Sequence, residues 1–245
     1  MKRLQLSAPA LLLAVCATTG QTPLLSEFDI TDDTALVRTE RYLMNGKTEA
    51  PFLLSGYVQN VFMTAPERYV FMGREPNGGR QYAMRADLEA SRIDTIRQIA
   101  MSADLQTWMP NVGEMVFSPK RNRLAFAYRL HPIVEIFSMD GTSLKYIRLG
   151  QDTFDRATLN EADFEDLNPL HTVDLTYTSD YIYALYWSYR YDERATRFPS
   201  IIKIDFDGNI IERFSDIPSP LCRIAAISDS RFIGWTGNRF ILITL

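Results

Sequence analysis

Four short strands joined by tight turns are written into residues 111–149, and the same phrase returns elsewhere in the chain. Residues 114–117, 123–128, 133–137 and 144–149 alternate or cluster apolar side chains. Ser118-Pro119-Lys120-Arg121-Asn122 and Asp140-Gly141 break them with turn residues. An earlier copy runs from Phe52 to Ala86 through residues 57–62, 69–72 and 81–84, with turns at Ala65-Pro66-Glu67-Arg68 and Pro76-Asn77-Gly78-Gly79. A later one runs through 172–177, 181–186, 201–206 and 210–214, turning at Ser179-Asp180 and Asp207-Gly208. A shortened copy occupies 224–227, 231–235 and 239–243. Aligning the two Asp-Gly turns aligns the strands before them, apart from a longer loop over 188–197.

The copies begin near residues 52, 111, 171 and 223, a period of roughly fifty to sixty, at the upper end of that expected for propeller blades. One four-stranded meander has two apolar faces to cover, and stacking such sheets around an axis covers both. The expected fold is therefore all-β: a β-propeller of four-stranded antiparallel blades, closed if residues 239–245 pair with the N-terminal strands. A sandwich would use the same strands but does not require this repetition. Residues 27–42 carry a weaker strand pattern, and Asn45-Gly46 is a hairpin signal. Between Glu89 and Leu105, the spacing of Ile93, Ile96 and Ile99 suits a short helix, with a strand over 95–100 competing. The acidic stretch 151–170 reads as a partly helical excursion between strands.

The first residues read as targeting. Met1-Lys2-Arg3 is a basic start, and residues 4–15 form an apolar run too short to span a bilayer. A buried N-terminal helix is disfavoured by that basic start and by Pro9. Leu13-Ala14-Val15-Cys16 resembles a lipoprotein lipobox, with lipidation at Cys16, although Val15 stands where Gly, Ala or Ser is preferred. Cleavage after Ala17 competes. Residues 1–16 are thus a signal segment, 17–26 a tether, and 27–245 a single domain. Removing Lys2 and Arg3 takes the 26 basic residues to 24 against 30 acidic ones, a net −6. That excludes the basic surplus of a nucleic-acid binder. Cys222 is then the one cysteine besides the anchor, so no disulfide framework exists, and its apolar neighbours suggest a small buried hydrophobe.

Phe117-Ser118-Pro119-Lys120 before Leu124-Ala125-Phe126-Ala127-Tyr128, with Val134-Glu135-Ile136-Phe137 and Asp140-Gly141 after, resembles the TolB-like six-bladed propellers, and most of all exported lipoproteins of Gram-negative envelopes. Tyr181-Ile182-Tyr183-Ala184-Leu185-Tyr186 and Ile204-Asp205-Phe206-Asp207-Gly208-Asn209 repeat the phrasing, so the resemblance covers residues 111–245. It implies a binding or scaffold protein and supplies no catalytic residues. A six-bladed ring normally takes a longer chain. At roughly 45 residues per blade, about five blades fit here, so one is degenerate or missing.

No chemical signature stands out. Asp205-Phe206-Asp207-Gly208-Asn209 imitates a calcium loop, but Ile210 and Asp216 occupy the positions that require Gly and Glu, and a hairpin turn explains it. The acidic run 151–170 reads as a solvated face, and no metal or cofactor is expected. Of the two histidines, His131 precedes Pro132 and His171 lies three residues before Asp174. A His171–Asp174 pair could orient a base, yet no Gly-x-Ser-x-Gly, HExxH or CxxC motif accompanies it. The richest binding candidate is Tyr186-Trp187-Ser188-Tyr189-Arg190-Tyr191-Asp192-Glu193-Arg194, read as a loop. Its Tyr186, Trp187, Tyr189, Tyr191, Arg190 and Arg194 could form a sugar- or peptide-binding platform, with His171 and Asp174 as further binding candidates, or its aromatics could pack between blades.

The expectation is a non-catalytic exported propeller that binds a protein or glycan at the cell envelope, in the periplasm or at the outer membrane. It would touch the membrane only through a lipid at Cys16. A propeller hydrolase or lyase using carboxylates near the axis, or a truncated ring without independent function, are the competitors.

Overall fold

Every sheet lies beside the next in chain order, each an antiparallel meander. The computed structural model describes the strands within 27–53 by their backbone, and residues 57–245 except 76–78, 91, 162, 216 and 218. The signal segment, the tether, Cys16, the Gly46 turn position and most of the 76–79 turn lie outside the described residues.

The first sheet runs β1 (Glu27–Thr31), β2 (Thr34–Arg38), β3 (Tyr42–Asn45) and β4 (Pro51–Leu53). The second is β5 (Tyr57–Ala65), β6 (Arg68–Arg74), β7 (Gln81–Asp87) and β8 (Arg92–Ile99). The third is β9 (Gly113–Ser118), β10 (Arg123–Tyr128), β11 (Ile133–Ser138) and β12 (Ser143–Arg148). The fourth is β13 (Leu170–Tyr177), β14 (Tyr181–Tyr189), β15 (Ser200–Asp205) and β16 (Ile210–Phe214). The fifth has, among the described residues, three strands, β17 (Arg223–Ser228), β18 (Arg231–Trp235) and β19 (Phe240–Thr244). The leading strands β1, β5, β9, β13 and β17 pack against one another in that order, which is the blade arrangement of a propeller.

Burial follows from this stacking. In β10, residues of both faces are buried, because a sheet covers each face. Outermost strands β12 and β16 are mainly exposed. One core cluster gathers Val70, Met115, Phe126, Ile136, Ile182 and Phe206 from the second, third and fourth sheets. Another joins the fourth and fifth through Tyr183, Leu185, Ile201, Leu221 and Phe232.

Three expectations change. The copy expected from Phe52 begins at Tyr57, and Phe52 belongs to β4. The helix weighed for 89–105 is the strand β8: Ile96 is an extra residue between the pairs Ala83↔Arg97 and Met84↔Thr95. That bulge produces the three-residue rhythm of isoleucines that imitates a helix. The closing strand pairs elsewhere than expected: among the described residues β19 pairs with β18 and β1 with β2. The 151–170 excursion does contain helical turns, at Arg156–Asn160 and Phe164–Leu167.

Candidate functional site

Neighbouring leading strands are joined by side chains rather than by a backbone ladder. On β5, Asn60 sits at φ 49, a left-handed conformation asparagine tolerates. Its Oδ1 accepts from the Met115 N–H at 3.0 Å, and its Nδ2 donates to Glu114 Oε2 at 2.9 Å. The same two-point contact recurs between the fourth and fifth sheets. Asp174 of β13 accepts from the Ile224 N–H at 2.6 Å and from Arg223 Nη1 at 3.2 Å. Arg223 Nη1 also reaches Glu114 Oε1 at 2.7 Å, where Arg129 Nη2 donates at 3.1 Å. Asn60, Glu114, Asp174 and Arg223 thus hold corresponding places at the heads of four sheets, with Arg129 reaching in from the residue after β10.

Every carboxylate oxygen in this group has a donor. Burial opposes ionisation of Glu114, but the Arg223 and Arg129 guanidiniums outweigh it and hold its carboxyl below the usual range. Asp174 goes the other way. Burial raises it to about 6 against the pull of Arg223, and the charge of Glu114 adds to the rise. The group was not foreseen from sequence, because its contacting members on different strands lie 49 to 109 residues apart. The signal was a polar residue (Asn60, Glu114, Asp174 or Arg223) within each of the leading strands β5, β9, β13 and β17.

Beside it opens a cavity of about 340 Å³. Leu170, Val173, Trp187 and Tyr191 form its apolar walls. Arg129 and Arg223 line it too, and Asp166 stands at an exposed position. Cys222, expected to be a buried hydrophobe, is only partly buried and lines the same cavity, and burial raises its thiol pKa.

The aromatic run is only partly a loop, because β14 carries Tyr186, Trp187 and Tyr189, with Ser188 at φ 58 in an irregular stretch of the pairing. Trp187 is buried, donates its Nε1–H to Leu221 O at 2.9 Å, and stacks on Tyr189 at 5.0 Å and on Tyr191 at 6.2 Å. Tyr191 is 45% exposed and carries the Arg194 guanidinium 3.9 Å over its ring. Arg190 lies outside, 3.9 Å from Asp192. Tyr186 belongs to the other core cluster, with Arg213 over its ring at 5.1 Å. The structure therefore brings Trp187 and Tyr191 to the cavity wall with Tyr189 behind, and leaves Tyr186, Arg190 and Arg194 away from it.

His171 and Asp174 have different partners. The His171 ring is fully buried, with Nδ1 3.3 Å from the Tyr186 hydroxyl and Nε2 3.5 Å from Thr153 Oγ1. Burial lowers its pKa to about 4, with Asp152 opposing and His131 adding to the shift. His131 Nδ1 lies 3.1 Å from Asp152 Oδ2. The pair considered as a base and its orienter is thus divided between a buried aromatic contact and a strand-to-strand tie.

No protein-family model matches the chain, and no curated protein sequence matches it significantly. Solved structures match in fold. One is Hsv2 of Kluyveromyces lactis with loop 6CD replaced by a Gly-Ser linker, at TM-score 0.53 and 13% identity, covering 90% of this chain and 65% of that one. Another is the Pan2 WD40 domain of Neurospora crassa, at TM-score 0.54 and 11% identity, covering 90% and 61%. A chain of a nidogen–laminin complex gives TM-score 0.52 and 13% identity, covering 89% and 74%. The chain spans less than two thirds of the first two. The shared property is the fold, a β-propeller.

Proposed function

We propose that this chain is a non-catalytic propeller that binds a partner protein at the cavity beside the leading strands. The observation that carries the proposal is the occupancy of the Glu114–Asp174 pair. All four of its carboxylate oxygens already accept hydrogen bonds from Asn60, Arg129, Arg223 or the Ile224 N–H. Both side chains are largely buried and held in place by ties between strands, which favours a structural role for them over that of base or nucleophile in an axial hydrolase or lyase. The cavity next to them keeps guanidinium edges and apolar wall together, the composition of a recognition site.

A protein partner fits better than a glycan. Sugar recognition by aromatics uses open ring faces. Here Trp187 is stacked on Tyr189 and Tyr191, and Tyr191 has Arg194 over it. A propeller chain within a nidogen–laminin complex has the same fold, consistent with a binding role. The finer placement belongs to the same proposal: a TolB-like exported lipoprotein, held at the envelope by a lipid on Cys16. Cys16→Ser should then move the chain from the membrane fraction to the soluble one.

A photo-crosslinking residue in place of Tyr191 tests the binding role, with one in place of Tyr146 on the outer strand β12 as control. Discrete adducts with an envelope protein from the Tyr191 position alone support it. Turnover of chromogenic glycosides or peptides by the purified chain, lost in Asp174→Asn, would overturn it in favour of catalysis.

A further inference from the structure

The two guanidiniums at the cavity are used far below their capacity. A guanidinium offers five N–H donors in a fixed fork. Among the described residues Arg129 spends only Nη2, on Glu114, and its buried Nε has no partner. Arg223 spends, among the described residues, only Nη1, shared between Glu114 and Asp174, and its side chain is 53% exposed. Arg129 Nη1 and the Nη2 and Nε edge of Arg223 have no partner among the described residues. If joining strands were their whole task, one donor on each would suffice.

Charge permits an added anion. Glu114, Asp174, Arg129 and Arg223 are two acids and two bases, so an incoming carboxylate meets a balanced group rather than an acidic one. Asp166 lines the cavity itself, and it is exposed, where water and salt weaken its repulsion. The Nη2 and Nε edge of an arginine matches the two oxygens of a carboxylate. Leu170, Val173 and Trp187 supply apolar wall in the same cavity.

Size then narrows the ligand. At about 340 Å³ the cavity is at the small end for ligand sites. A mid-chain acidic residue would need two exits for its flanking chain, whereas a chain end needs one. At a C-terminus the carboxylate and the last side chain also share one Cα, matching guanidinium edge beside apolar wall.

We propose that this cavity captures the free C-terminal carboxylate of a partner polypeptide ending in an apolar residue, with Arg223 as the carboxylate fork and Arg129 supporting it. The inference rests on the proposed partner binding at this cavity and goes further by naming the group recognised.

Calorimetric titration of the full-length protein tests it with four probes: N-acetyl-leucine, N-acetyl-leucinamide, N-acetyl-aspartyl-leucinamide and inorganic phosphate. N-acetyl-leucine should bind about tenfold or more tighter than its amide, and tighter than the other two. Arg223→Lys keeps a cation between Glu114 and Asp174 but removes the fork. It should cut N-acetyl-leucine binding by about tenfold, while Arg85→Lys, on β7, leaves it unchanged. Equal binding of acid and amide, indifference to Arg223→Lys, or phosphate binding as well as the acid would each overturn the inference. So would failure of every probe at millimolar concentration. The partner-binding proposal would survive these outcomes if the Tyr191 crosslinks persist, and it falls separately if they are absent.

Discussion

At the scale of single residues, two buried groups set opposite pH responses. Asp174, raised by burial to about 6, holds its proton more tightly when folded than when unfolded. Its contribution to stability is present below the ordinary carboxylate pKa of about 3.9 and is lost as pH rises toward about 6. His171, lowered by burial to about 4, does the reverse. Its contribution is present above the ordinary imidazole value of about 6.5 and is lost as pH falls toward about 4, by roughly 3 kcal/mol. The two oppose each other over the same window and flatten the wild-type profile. Asp174→Asn should therefore lose urea resistance more steeply than wild type on acidification from about pH 6 to about pH 4. His171→Gln, which starts lower, should lose it less steeply. Parallel profiles for all three proteins would mean that neither group titrates in that window.

A third buried group makes a harder demand. Glu135 accepts from Ser143 Oγ and pairs with Arg97 Nη2, both at 2.7 Å, with a side chain 1% exposed. Glu135→Ala would leave Arg97 without that carboxylate in a largely buried position. Removing one partner of a buried pair costs about 3–5 kcal/mol. Arg97 keeps some exposure and its bond to Gly141 O, so the lower end of that range is expected in the urea midpoint.

At the scale of elements, the Asp-Gly turns explain why the sheets could be aligned from sequence alone. Gly141 at φ 87 and Gly208 at φ 90 each follow an aspartate and join the third and fourth strands of their sheets. The bulges at Ile136/Phe137 and Lys203/Ile204 fall at matching places in the two sheets. Turn chemistry and period-two alternation are local, so they show in the sequence. The bulge at Ile96 and the bend at Ser188 do not, because each depends on which residue of the partner strand stands opposite. That is why β8 resembles a helix in sequence and why the aromatic run reads as a loop. The Asn60–Glu114–Asp174–Arg223 group was hidden for a related reason: each member is an unremarkable polar residue until the sheets are stacked.

Two glycines separate backbone strain from crowding. A Cβ on Gly141 would collide with the Ile96 carbonyl oxygen of β8 in the neighbouring sheet, in addition to its left-handed strain. Gly237, at φ 94, has nothing among the described residues within 4 Å of such a Cβ. Gly237→Ala should cost about 1 kcal/mol, the conformational term alone. Gly141→Ala should cost clearly more, because β8 and the turn must separate. Equal losses of thermal stability would show that the neighbouring sheet yields freely there.

At the scale of the molecule, the question is whether the sheets behave as one body or as a string. Stacked repeats touching only their neighbours unfold as sums of local terms, and long arrays lose cooperativity. Glu114 works against that outcome. From β9 it reaches Asn60 in the second sheet and Arg223 in the fifth, while Arg223 also engages Asp174 in the fourth. Four leading strands therefore meet at one carboxylate or its direct partner. The wild-type chain should melt in a single transition independent of concentration. Glu114→Gln keeps the shape and removes the charge that both Arg129 and Arg223 face. With Arg223 half-exposed and able to turn to water, the expected loss is about 3 kcal/mol rather than the full cost of a buried pair. That corresponds to roughly 6–12 °C for a domain of this size. If the carboxylate couples the sheets, the variant's transition should also broaden or divide, because the second and fifth sheets lose their link through β9. A transition displaced downward but equally sharp would assign the cooperativity to the apolar clusters between sheets, with Glu114 contributing stability alone.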